Sequence, residues 1–185
     1  MADTTNFRNG YTILIDGVIF TMVEFQHVKP GKGGAFVRTR LKNMQTGAVL
    51  DRTFRSGDKV EEVRVEKRNM QYLYAEDEVF HFMDNETYEQ ITVDRATMGD
   101  AAKLMKENES AAVLIALEKP IGVEMPNFVV LKVVETDPGF KGDTANGAVK
   151  PAKLETGTTV NVPLFVNQDD LLRIDTRTGQ YVERA

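Results

Sequence analysis

The chain has 185 residues, 42% hydrophobic and 28% charged, a composition that belongs to a folded protein and not a disordered one, and its net charge of −5 argues against a generic nucleic-acid binder. With no cysteine and only two histidines, His27 and His81, it has no means of forming disulfides, thiolate zinc sites or histidine-rich metal sites. No apolar run approaches the roughly 20 residues that cross a bilayer, and the polar start Met1-Ala-Asp-Thr-Thr-Asn has no signal-peptide character, so a cytosolic location away from membranes is expected.

Residues 8–64 read as short strands separated by turn signals. The run Ile13-Leu14-Ile15-Asp16-Gly17-Val18-Ile19-Phe20 places an Asp-Gly pair between apolar segments, the strongest short hairpin cue. The strand-like Val18–Phe25 then leads into Lys29-Pro30-Gly31-Lys32-Gly33-Gly34, and the alternating Ala35-Phe36-Val37-Arg38-Thr39-Arg40-Leu41 leads out, which reads as a second hairpin. Gly31, Gly33 and Gly34 tolerate positive φ and so permit a tight tip, while Pro30 stiffens its rising side. Lys32 is thereby expected at the apex, a long cationic arm between glycines. On its own the tip is either an ordinary solvated turn or a contact for a partner.

The surrounding charge separates these readings. From Phe25 to Leu50 there is no Asp or Glu, although 28 acids in 185 residues would place about four there by average density. Lys29, Lys32, Arg38, Arg40 and Lys42 all lie in that window. A hairpin cleared of negative charge points to a polyanionic partner, most simply phosphate backbone. Lys29, Arg38 and Arg40 are then candidate phosphate contacts, or else solvated strand residues. Further turns at Met44–Leu50 and Asp51–Asp58 complete the pattern of a small barrel.

From Glu62 the pattern restarts. Val63–Val65, Gln71–Tyr74, Val79–Met83 and Tyr88–Val93 are strand candidates, with a turn at Asp84-Asn85. Between Asn69 and Asp94 there is no Lys or Arg but seven acids, an acidic face opposed to the basic hairpin. Met98–Met105 is the one helical stretch, with Asp100 as the expected N-cap. Ala111–Leu117 reads as a strand broken at Lys119-Pro120, and Ile121–Met125 follows the break. After Pro126-Asn127 a third block opens with Phe128–Val134, passes through the turn-rich Thr136–Gly147, and continues with strands near Lys153-Leu154, Thr158–Leu164, Leu171–Ile174 and Gln180–Val182. Three blocks of roughly sixty residues, nearly all strand, result; each is small for independent stability.

Enzymatic patterns are missing. Gly31-Lys32-Gly33 opens a strand, not the helix of a phosphate-binding loop, and there is no G-x-S-x-G or G-x-G-x-x-G. Neither histidine has a Ser or carboxylate partner at a recognisable spacing, so no acid–base chemistry is expected of this chain. A binder of single-stranded nucleic acid needs aromatic platforms along a basic groove, and the best cluster here, Tyr72, Tyr74, Phe80 and Phe82, falls in the acidic segment.

Two motifs extend the reading. Lys29-Pro30-Gly31-Lys32-Gly33 with Ala35-Phe36-Val37-Arg38 is one; Asp137-Pro-Gly-Phe-Lys-Gly-Asp143-Thr144-Ala-Asn-Gly147, running on through Lys150-Pro151-Ala152, Leu154-Glu155-Thr156-Gly157 and Val160–Pro163 to Gly179–Arg184, is the other. With them the full chain resembles bacterial elongation factor P, the counterpart of eukaryotic and archaeal initiation factor 5A. The resemblance implies an all-β fold of three small β-barrel domains in an elongated L similar in shape to tRNA: an SH3-like (KOW-like) barrel over 1–64, an acidic OB-fold over 65–127 and a C-terminal OB-fold over 128–185. It implies a monomeric, non-enzymatic factor without cofactor that binds both ribosomal subunits between the peptidyl-tRNA and exit sites. There Lys32 would steady the CCA end of the peptidyl-tRNA and relieve stalling at consecutive prolines. In many members of the family the tip lysine is covalently extended by partner enzymes; Pro30 and Gly34-Ala35 resemble the branch with an aminopentanol group. The loop Gly142-Asp143-Thr144 to Gly147 resembles the element that approaches the small subunit, or is simply a Gly-rich turn, and Tyr181 and Arg184 are further candidate tRNA contacts or plain strand residues. The alternative from another class is a free-standing OB-fold protein that binds single-stranded nucleic acid.

Overall fold

The alternation in the sequence becomes three sheets in the computed structural model, which describes residues 2–31, 33–138 and 147–185. The first sheet holds β1 (Ala2–Asp3), β2 (Thr12–Ile15), β3 (Val18–Val28), β4 (Phe36–Asn43), β5 (Val49–Arg55) and β6 (Lys59–Glu62) in the order β1-β6-β2-β3-β4-β5. Strand β4 shows how the pattern folds: Val37, Thr39 and Leu41 are buried while Arg38, Arg40 and Lys42 face solvent. Asp16 and Gly17 both take positive φ, 50° and 79°, the left-handed pair that a two-residue hairpin of the native twist requires.

The second sheet orders β7 (Val65–Glu76), β8 (Val79–Asp84), β9 (Gln90–Asp94), β10 (Ser110–Ala116) and β11 (Lys119–Glu124) as β11-β10-β7-β8-β9. The third orders β12 (Phe128–Thr136), β13 (Val149–Leu154), β14 (Thr159–Pro163), β15 (Leu171–Asp175) and β16 (Gln180–Arg184) as β14-β13-β12-β15-β16. The chain divides into two compact units, one of residues 1–67 with 114–122 and one of residues 68–113 with 123–185.

Within the first unit, Phe7, Tyr11, Ile13, Met22, Leu41 and Phe54 form the barrel core. A second cluster joins Ile19 and Val63 to Leu114, Ala116 and Ile121. In the other unit Leu131, Val133, Leu154, Val162, Leu172 and Ile174 are fully buried, and Leu104 packs into the same cluster.

Two local expectations are corrected. The break after β10 is not at Lys119-Pro120 but at Leu117-Glu118, which form the turn with φ of 51° and 61°. Pro120 lies inside β11, the edge of its sheet, where a missing N–H removes no ladder bond. The helical stretch is two single turns, α1 (Arg95–Met98) and α2 (Ala101–Leu104). The cap is Asp94, whose carboxylate accepts from Thr97 N–H at 2.7 Å. Asp100 makes no side-chain cap bond; its carboxylate takes the Lys103 ammonium at 3.0 Å instead.

Candidate functional site

The longest antiparallel pairing in the first barrel builds the hairpin. β3 and β4 run in register from Phe20↔Asn43 to Val28↔Phe36, with a bulge between Met22 and Glu24. On their solvent face Arg38 lies opposite Gln26 and Thr53, and Arg40 opposite Glu24 and Asp51. Together these residues line an open groove of about 400 Å³ across β3, β4 and β5.

The two arginines on that face differ. Arg40 is flanked by Glu24 and Asp51, each at 3.6 Å, in pairs open to solvent. Arg38 has no carboxylate partner among the described residues; its guanidinium sits 5.6 Å from the Phe36 ring centroid. The acid-free window therefore ends at the two acids that fold back onto Arg40. Of the two arginines on this face, Arg38 is the one left without a carboxylate partner among the described residues.

At the tip, Lys29, Pro30, Gly31, Gly33 and Gly34 are exposed. Lys32 lies outside the described residues. Of the described tip glycines only Gly33 has positive φ, +122°, so Gly31 and Gly34 are not needed for that reason. The base of the tip is fastened from below by residues that carry no functional cue in the sequence. Ser56 N–H donates to the Ala35 carbonyl at 2.9 Å. Gly57 N–H in the same turn donates to the Thr4 hydroxyl at 3.0 Å, and Thr4 is 1% exposed. Thr4 is held in turn by a short 3-10 segment, Thr4–Asn6, boxed by Asp3 and Asn6. Hydrogen bonds from the hydroxyl and amide of Thr5 keep the Asp3 carboxyl below its ordinary value, hence charged and able to cap. The Asp-x-x-Asn spacing at residues 3–6 is the one signal that could have found this brace.

The remaining candidates belong to the third barrel. Gly142, Asp143 and Thr144 lie outside the described residues; Gly147 is exposed with φ +97°. Tyr181 is half-buried against the barrel core, and the Arg184 guanidinium lies 3.8 Å from the Asp170 carboxylate. In the acidic segment Tyr72, Phe80 and Phe82 are core residues, with Tyr72 5.9 and 5.5 Å from the other two rings. Burial raises the Tyr72 phenol above its ordinary value, with the nearby Glu107 carboxylate adding to it. Only Tyr74 of the four is exposed, stacked on His81 at 4.4 Å. Among the described residues no group of three or more His, Asp or Glu has the arrangement of a metal site, and no helix is long and apolar enough to cross a membrane.

Comparison with known proteins places this geometry. Residues 3–60 match the KOW-like domain of elongation factor P, 65–123 its OB domain, and 129–184 the elongation factor P C-terminal domain. Over all 185 residues the chain is 55% identical to elongation factor P of Pelotomaculum thermopropionicum and 56% identical to that of Moorella thermoacetica, with both chains covered in full. The chain belongs to the elongation factor P family. A translation factor is thus what the family makes it, and the all-β reading of a KOW-like barrel followed by OB-type barrels holds. The solved structure of eukaryotic translation initiation factor 5A from Methanococcus jannaschii shares the fold, with a TM-score of 0.53 at 22% identity over 66% of this chain and 92% of the other.

Proposed function

We propose that this member of the elongation factor P family acts as a monomer on the ribosome, between the peptidyl-tRNA and exit sites, and speeds peptide-bond formation where consecutive prolines stall it. The observation that supports this most is the β3–β4 hairpin, whose connecting sequence sets Lys32 between glycines and whose solvent face carries Arg38 as an unneutralised cation. A proline's fixed φ disfavours the reactive geometry of its ester and amine. A cation beside the CCA end restrains the tRNA, so the gain is in positioning, and the ribosome performs the chemistry. Lys29 and Arg38 contact phosphate in this account, and Arg40 does so only by giving up Glu24 and Asp51. A covalent extension of Lys32 by a modifying enzyme lengthens the arm and adds hydrogen-bonding groups.

The single-stranded nucleic-acid reading loses its platform, because Tyr72, Phe80 and Phe82 are buried and base stacking requires exposed rings. The experiment that separates the two compares binding to ribosomes carrying peptidyl-tRNA with binding to a free single-stranded oligonucleotide across a salt series. Tight binding to the ribosomal complex with weak, steeply salt-dependent binding to the oligonucleotide is expected. Equal affinity for both overturns the proposal.

A further inference from the structure

The third barrel buries a lysine. Along β13 the side chains alternate, with Lys150, Ala152 and Leu154 turned inward. Lys150 is 6% exposed, the only basic residue so deeply buried among the described residues. An ammonium is strongly hydrated, and burial is unfavourable unless a partner replaces the lost water. Among the described residues no carboxylate pairs with it. Its Nζ donates instead to the backbone carbonyl of Asp137 at 2.6 Å, thirteen residues back along the chain. From the other limb the Thr136 hydroxyl donates to the Pro151 carbonyl at 2.9 Å. Both contacts tie the end of β12 to the start of β13, the two limbs between which the chain runs through 139–146.

A purely packing role does not account for the choice of residue. Methionine has a similar length and would fill the same space without desolvating a charge. What lysine adds is a charge-assisted donor aimed at one main-chain oxygen. We propose that Lys150 is a positioning residue: by holding the Asp137 carbonyl it sets how the two limbs, 134–138 and 147–151, leave the barrel, and so the surface that this end of the third barrel offers to ribosomal RNA. This rests on the ribosomal role proposed above.

The test uses the full chain with Lys150→Met and Lys150→Gln, the second of which keeps a neutral donor. In tri-proline synthesis on purified ribosomes, Lys150→Met should raise the half-saturating factor concentration on the order of tenfold, the worth of one charged hydrogen bond, with the maximal rate unchanged. Lys150→Gln should fall between it and wild type. Neither variant should melt below wild type, since removing a buried charge does not weaken the barrel. A second readout is independent of ribosomes: amide hydrogen exchange at residues 134–138 and 147–151 should quicken in Lys150→Met while the other barrels stay unchanged. A Lys150→Met that unfolds shows a role in the barrel alone and overturns the inference. So does one that half-saturates and exchanges like wild type. If wild type gives no acceleration, the ribosomal role fails while the exchange experiment still decides whether Lys150 positions the limbs.

Discussion

Gly33 offers a test of the tip with its own internal control. Its φ of +122° lies where L-residues rarely go, and a Cβ at that position would meet Pro30 Cγ at 3.7 Å, an ordinary contact. The obstacle to alanine is thus the backbone and not the space. Holding a non-glycine residue in so sparse a region costs about 1–3 kcal/mol, which depopulates the native tip by roughly 5- to 150-fold. The exposed tip escapes by rearranging, so Gly33→Ala should leave the melting temperature nearly unchanged and act on function instead. Gly31 has no positive φ, and a Cβ there would have nothing within 4 Å, so Gly31→Ala should behave as wild type. The assay is the half-saturating factor concentration in tri-proline synthesis, with thermal melts alongside. Gly33→Ala should raise that concentration at least about fivefold, the lower end of the strain range. If the two variants match, the tip conformation is not what the factor uses.

Other expectations concern stability. Asp94→Ala should cost about 1 kcal/mol through loss of the α1 cap, and Asp100→Ala should stay within about 0.5 kcal/mol; urea midpoints compare the two directly. Glu118→Gly should stabilise by about 0.5–1 kcal/mol, because it relieves a non-glycine residue at φ 61° in the β10–β11 turn. The Asp175 carboxyl, held first by the Arg177 guanidinium and then by the Arg177 amide, is lowered from 3.8 to about 2. A depressed folded value means its stabilisation is complete above the unfolded value of 3.8 and disappears as pH falls through about 2. Asp175→Asn should therefore flatten that part of the acid-unfolding profile, measured from ~pH 5 to ~pH 2, by a small amount because the Arg177 guanidinium is exposed and screened by water.

Turns that demand glycine are readable in the sequence, since Asp16-Gly17 and Thr178-Gly179 announce positive φ through residue type. The Leu117-Glu118 turn is not, because neither residue advertises the left-handed conformation it adopts, while the neighbouring Pro120 signals a break that an edge strand does not need. The helix cap is displaced by one turn for a similar reason: Gly99 with φ 55° divides the stretch, and the preceding Asp94 reaches Thr97 first. Phe80 and Phe82 stand two apart on β8 and pair with β7 beside Tyr72, a period-two signal for an inner face that composition alone does not convey. The charge window marks a real basic hairpin, yet a count along the chain carries no information about neighbours across strands. Glu24 and Asp51 border the window in sequence and meet at Arg40 in space. The burial of Lys150 and Thr4 is invisible at that level, because a polar residue type does not announce that it lies inside.

The most direct measurement is the rate of tri-proline synthesis on purified ribosomes with no factor, with the protein isolated from its own host, and with Lys32→Ala. The account predicts acceleration by the native protein and loss of most of that acceleration in Lys32→Ala, with the fold intact because the substitution falls in the link between β3 and β4. Full acceleration by Lys32→Ala would contradict the role of the tip, and no acceleration by the native protein would contradict the ribosomal function itself.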